Sequence, residues 1–195
     1  MKQSYKINKN RVLLFTAILL SSFMNAQSIS ELDKRNGFKD FKIGDSLDKW
    51  SSSAKFLGNN NGISSYLYTG YCCNKVFDQE VESIELIFNN AKKLVAIGIR
   101  LKSFRKSNGK TYVYFDPDLE DYKNLRNKFS ALFGREKENL SQKPSSKSPI
   151  ATSLWNGNSI SLELNYWYTG ITGEDWCVIF VSDNGFSNKS LQSGF

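Results

Sequence analysis

The chain has 195 residues, with 26 Lys and Arg against 19 Asp and Glu, three cysteines, no histidine, 40% hydrophobic and 14% aromatic residues. That balance excludes a disordered tail and permits a core that needs no staples. The missing imidazole excludes Ser-His-Asp and Cys-His nucleophiles and histidine-ligated zinc or copper, which closes a large share of hydrolase chemistry.

Lys2, Lys6, Lys9 and Arg11 precede an apolar run from Val12 to Phe23, and the small residue Ala26 follows. This reads as a signal peptide cleaved near Ala26, because the run falls short of the roughly 20 residues that span a bilayer as a helix. Cleavage removes four cations and no acid, so the formal charge falls from +7 to +3. The expected mature protein is exported, periplasmic or secreted, without a transmembrane anchor. An exported chain of modest charge is also no nucleic-acid binder.

Beyond the leader, Phe38 to Ile43 suits a strand. Gly44-Asp45-Ser46 then opens a helix with Asp45 or Ser46 as N-cap, a stripe of Leu47, Trp50, Ala54 and Leu57, and a stop at Gly58. Ile63 to Tyr68 is β-branched and aromatic enough for a strand, and residues 69–80 read as a loop. Val81 to Phe88 and Leu94 to Leu101 alternate apolar residues on either side of a turn-rich tract, the pattern of a half-buried antiparallel hairpin. A basic tract of Arg100, Lys102, Arg105, Lys106 and Lys110 precedes a short strand at Tyr112 to Phe115. Asp116-Pro117 starts a second helix, whose stripe of Leu119, Tyr122, Leu125, Phe129, Leu132 and Phe133 ends at Gly134.

Residues 135–149 are polar, Ser-rich and carry two prolines, so they read as a surface loop. Strands follow at Ser153 to Trp155, Ser159 to Tyr166 and Trp176 to Val181, with Asn156-Gly157 as the turn between the first two. The expected fold class is α+β: an antiparallel sheet with two helices on one face. One domain occupies residues 27–182, with candidate halves 38–101 and 111–182, and a flexible tail runs from 183 to 195.

A faint duplication supports the halves. Ser46-Leu47-Asp48-Lys49-Trp50 is echoed by Asp118-Leu119-Glu120-Asp121-Tyr122, and Tyr-x-Tyr-Thr-Gly occurs at Tyr66 to Gly70 and Tyr166 to Gly170. The chain can be cut into two tandem β-α-β-β-type units. With the Phe-x-x-Phe-x-x-Gly-x-Ser-type entry at Phe38 to Ser46, this order resembles secreted β-lactamase-inhibitor proteins and small uncharacterised envelope proteins. The resemblance implies a concave sheet surface that binds another protein, and carries over no individual residue.

Aromatic density beside Gly-containing loops marks Tyr66, Tyr68, Tyr71, Trp167, Tyr168 and Trp176 as candidate binding residues, since rigid rings supply contact area for a protein and flat faces for sugars. Strand parity sends Tyr166 and Tyr168 to one face and Trp167 to the other. Cys72, Cys73 and Cys177 are disulfide candidates in an oxidising compartment, with Cys177 the favoured partner of one of the adjacent pair. No metal site is expected, because three thiolates with an adjacent pair lack the usual C-x2-C spacing. The acids Asp116, Asp118, Glu120 and Asp121 read as a helix first turn, and Glu85 and Glu163 as solvated strand residues. The functional expectation is an exported, non-enzymatic, inhibitor-like or immunity-like protein that binds a protein partner without a cofactor. The alternative is a glycan-active protein: a carbohydrate binder or a carboxylate-dependent hydrolase drawing on Glu85, Glu163, Glu174 or Asp175.

Overall fold

A computed structural model describes residues 30–102, 120–140, 149–169 and 174–186. The expected signal peptide, the strand at 112–115 and the start of the second helix at Asp116-Pro117 lie outside them. Residues 30–35 are helical (α1), and β1 (Gly37–Phe38) and β2 (Phe41–Lys42) form a small hairpin where one strand was expected, because Lys39 turns the chain at a φ of 50°. Two 3-10 turns follow, η1 (Leu47–Lys49) and η2 (Ser51–Ser53). Then come β3 (Ala54–Asn60), β4 (Ile63–Tyr68), β5 (Lys75–Val76), β6 (Gln79–Phe88) and β7 (Leu94–Leu101). Helix α2 (Glu120–Phe133) precedes β8 (Lys137–Leu140), β9 (Ala151–Asn156), β10 (Ile160–Thr169) and β11 (Glu174–Asp183). The protein is therefore α+β, and its strands pair antiparallel in a single large sheet of order β3-β4-β6-β7-β11-β10-β9-β8, with β5 added beside β6.

Three sequence expectations are corrected. Residues 46–58 do not form a helix: Ser51 and Ser53 turn their hydroxyls onto the carbonyls of Asp48 and Trp50, a local alternative to helical bonding. From Ala54 onward the chain pairs with β4 as the sheet's edge strand. Asp45 caps no helix. Its carboxylate instead accepts bonds from the Lys42 N–H, Lys49 Nζ and the Trp50 indole at 3.0, 2.8 and 3.2 Å, pinning Trp50 into the core. The loops expected at 69–80 and 135–149 carry β5, the start of β6, and β8. Both segments pair at the margins of the sheet, β5 with the start of β6 and β8 with β9, where backbone pairing needs no strong apolar alternation in the sequence.

One face of the sheet holds the core. Leu86, Ile97, Ile99, Leu162, Leu164, Cys177, Ile179 and Val181 are buried there under Tyr122, Leu125, Phe129 and Phe133 of α2, together with Leu32, Phe41 and Trp50. The Tyr122 hydroxyl meets Ser153 Oγ at 2.8 Å, and the Trp155 indole donates to the Gly134 carbonyl at 3.0 Å, so both ends of α2 are tied to β9. Gly134, at a φ of 82°, supplies the left-handed residue that ends this helix. Phe186 packs on Phe180 at a ring separation of 6.2 Å, so residues 183–186 are anchored.

The sheet is internally symmetric. Strands β3-β4-β6-β7 and β8-β9-β10-β11 are two four-stranded meanders that meet along β7 and β11. On the face turned away from α2, paired residues read across the sheet as Lys55, Leu67, Glu85, Gly98, Phe180, Glu163, Leu154, Lys137, a near-palindrome about the seam. Equivalent strands share short strings: Ser65-Tyr66-Leu67-Tyr68 with Thr152-Ser153-Leu154-Trp155, and Ser83-Ile84-Glu85-Leu86 with Ser161-Leu162-Glu163-Leu164. The Tyr-x-Tyr-Thr-Gly repeat plays no part in this symmetry. It falls on β4 and β10, the second strand of one meander and the third of the other.

Candidate functional site

Antiparallel pairing brings the C-terminal ends of β4, β7 and β10 and the start of β11 to one end of the sheet. Two aromatic groups about a hundred residues apart in sequence thus reach the same end. Their side chains have different fates. Tyr66 lies on the core face between Phe56 and Phe88, with ring separations of 5.3 and 5.5 Å. Tyr68 packs edge-on against Phe41 and Trp50 at 4.9 and 6.2 Å. These two candidates therefore serve the core rather than a surface, as the inward parity of β4 requires. Tyr71, in the loop that follows, is fully exposed.

Trp167 and Trp176 stand directly opposite each other on β10 and β11, on the face away from α2, and both are partly exposed. Tyr166, one residue earlier, is buried against Tyr122, which agrees with the parity expected of this strand. Arg100 of β7 lies over the Trp176 ring at 4.8 Å from its centroid and pairs through Nε with Glu82 at 2.9 Å. Tyr168 continues the strand opposite Asp175. Of the basic tract, Lys102 reaches Glu80 at 2.6 Å, and Arg105, Lys106 and Lys110 lie outside the described residues.

Along the same face, Glu85 is set on β6 and Glu163 on β10, three strand spacings apart, or about 14 Å at 4.8 Å each. Glu85 is not solvated as expected. Burial beside Gly98 and Phe180 pushes its carboxyl above the ordinary range, against the opposing hydrogen bond from Ser65, and its Oε1 is inaccessible and unpartnered. Sequence parity places Glu85 on the correct face, but not the Phe180 ring that packs beside it over Gly98. Farther along, Ile87, Ala96 and Phe180 form a second small apolar cluster with Ile63, Val95 and Phe186.

The adjacent cysteines form the disulfide Cys72–Cys73, which corrects the expected pairing with Cys177. Cys177 is buried on β11, in the core face of the sheet, and takes no part in that bond. Asp40, Cys72 and Cys73 place their donor atoms within 4.8 Å of one another. Among the described residues no helix is long and apolar enough to cross a membrane. No family model, curated protein or solved structure matches the chain.

Proposed function

We propose that the chain is an exported binding protein, inhibitor-like or immunity-like and not an enzyme, which holds a protein partner against the sheet end formed by Trp167, Trp176 and Arg100. The observation that carries this reading is the cross-strand tryptophan pair, partly exposed on a rigid sheet, with a guanidinium stacked on one ring. Trp and Arg are enriched among the few residues that carry most of an interface's binding energy. The leader-like N-terminus supports export to a periplasmic or extracellular space.

Glycan binding on the same rings is the rival reading, favoured by their flat faces.

The test is a pull-down from envelope extracts with residues 27–195, alongside a glycan array, followed by affinity measurement for the captured protein. Trp176→Ala is expected to weaken that affinity by about 2 kcal/mol or more, the usual scale of a hot-spot residue. Glycan binding with no protein captured overturns the proposal.

A further inference from the structure

We propose that Cys72, Cys73 and Asp40 form a redox-gated site for a thiophilic divalent cation, closed when the two sulfurs are bonded to each other and opened when they are reduced. Consecutive side chains on an extended strand point to opposite sides, which would keep two adjacent thiols apart. Here Cys73 takes a φ of 72°, in the left-handed region, and the bend brings both sulfurs together. Asp40 comes from a remote turn, between β1 and β2, and completes a set of two sulfurs and one carboxylate oxygen within 4.8 Å of one another.

The cluster rests on packed aromatics. Phe41, next to Asp40, is fully buried and lies edge-on to Tyr68, whose hydroxyl donates to Cys72 Sγ at 3.2 Å. Two thiolates and a carboxylate are a donor set suited to zinc or cadmium. Metal bonds of about 2.0–2.3 Å separate ligand atoms in a tetrahedron by roughly 3.5 Å, so the two sulfurs must part from bonding distance on reduction before they can ligate, with Asp40 already within 4.8 Å of both. Asp40 is exposed while Cys73 is buried, so the cluster is reached from solvent on the side of Asp40.

The chemistry balances with a dithiol reductant. The reductant gives two electrons and two protons, the Cys72–Cys73 bond breaks to two thiols, and the reductant closes to its own disulfide. Binding of the divalent ion then releases the two thiol protons.

The experiment titrates cadmium into the protein with and without prior dithiol reduction and removal of the reductant under anaerobic conditions. It follows the ultraviolet thiolate-to-cadmium charge-transfer band and the far-ultraviolet circular dichroism. One cadmium per chain is expected, only after reduction and with an unchanged circular dichroism spectrum. The band is lost in Cys73→Ser and unchanged in Cys177→Ser. In Asp40→Asn, an exposed turn substitution that leaves the fold intact, affinity falls by at least about tenfold. The proposal is overturned if the reduced protein shows no band or unfolds, if the band survives Cys73→Ser, or if Asp40→Asn binds cadmium as tightly as the parent.

Discussion

Glu85 shows how a single residue's chemistry depends on neighbours remote in the chain. Its parity on β6 reads as solvent-facing, yet Phe180 lies beside it across Gly98 and the carboxyl is pushed above its ordinary range. A carboxyl raised in the folded state binds its proton more tightly there than in the unfolded chain. The fold is therefore favoured most below the unfolded value near 4.5, and stability is lost as pH rises through the folded value. Glu85→Gln is expected to raise the melting temperature at neutral pH and to have little effect at a pH below that unfolded value. Thermal melts followed by circular dichroism across that range check this, and an equal effect at both ends would contradict it. The cysteines make the same point about residue type. The compartment argued for a disulfide, but only the backbone at Cys73 selects the adjacent partner over Cys177.

At the level of elements, long periodic segments were legible and short ones were not. Helix α2 and the β6–β7 hairpin follow from stripes of Tyr122, Leu125 and Phe129 and of Ile84, Leu86 and Phe88, because each stripe repeats at the period of its own element over enough residues to cover the main core. The segment after Asp45 carries an equally helical stripe in Leu47, Trp50, Ala54 and Leu57. It becomes two 3-10 turns and a strand, because pairing with β4 satisfies its backbone and three consecutive serines weaken the helix.

One link between elements was invisible in the sequence. Asp33 of α1 accepts the N–H groups of Asn158, Ser159 and Ile160 at 2.7, 2.9 and 3.1 Å, fastening α1 to the β9–β10 turn. Gly157 leaves room for that carboxylate, which a side chain at this position would strike. Partial burial alone would raise the Asp33 carboxyl, but these backbone bonds and the Ser159 hydroxyl outweigh it and hold it below the ordinary range. The stability it contributes is thus present above the unfolded value near 3.8 and is lost as pH falls through the lower folded value. Asp33→Asn is expected to cost about 1 kcal/mol at neutral pH, the scale of hydrogen bonds to a charged group discounted for exposure. That difference shrinks in acid, as chemical denaturation at two pH values would show.

At the scale of the whole molecule, the seam between β7 and β11 joins the two meanders. Ile99 and Ile179 face each other there, both buried, and Ile97 meets Val181 two pairs along, on the same face. Ile179→Ala is expected to destabilise by about 2–5 kcal/mol, as in other buried aliphatic truncations. Because the seam is shared, the halves should still unfold in one calorimetric transition. Two separate transitions would show that each meander holds its own core.

The sequence by itself determined the class of fold, the core stripe of α2, most strand positions and the exclusion of histidine chemistry, since these depend on composition and on periodicity within one segment. Only the tertiary structure decided which copies of the duplication correspond, which rings face outward, and which acid stands beside Cys72 and Cys73. Those facts belong to pairing between distant strands, where register, not local pattern, sets each residue's neighbours.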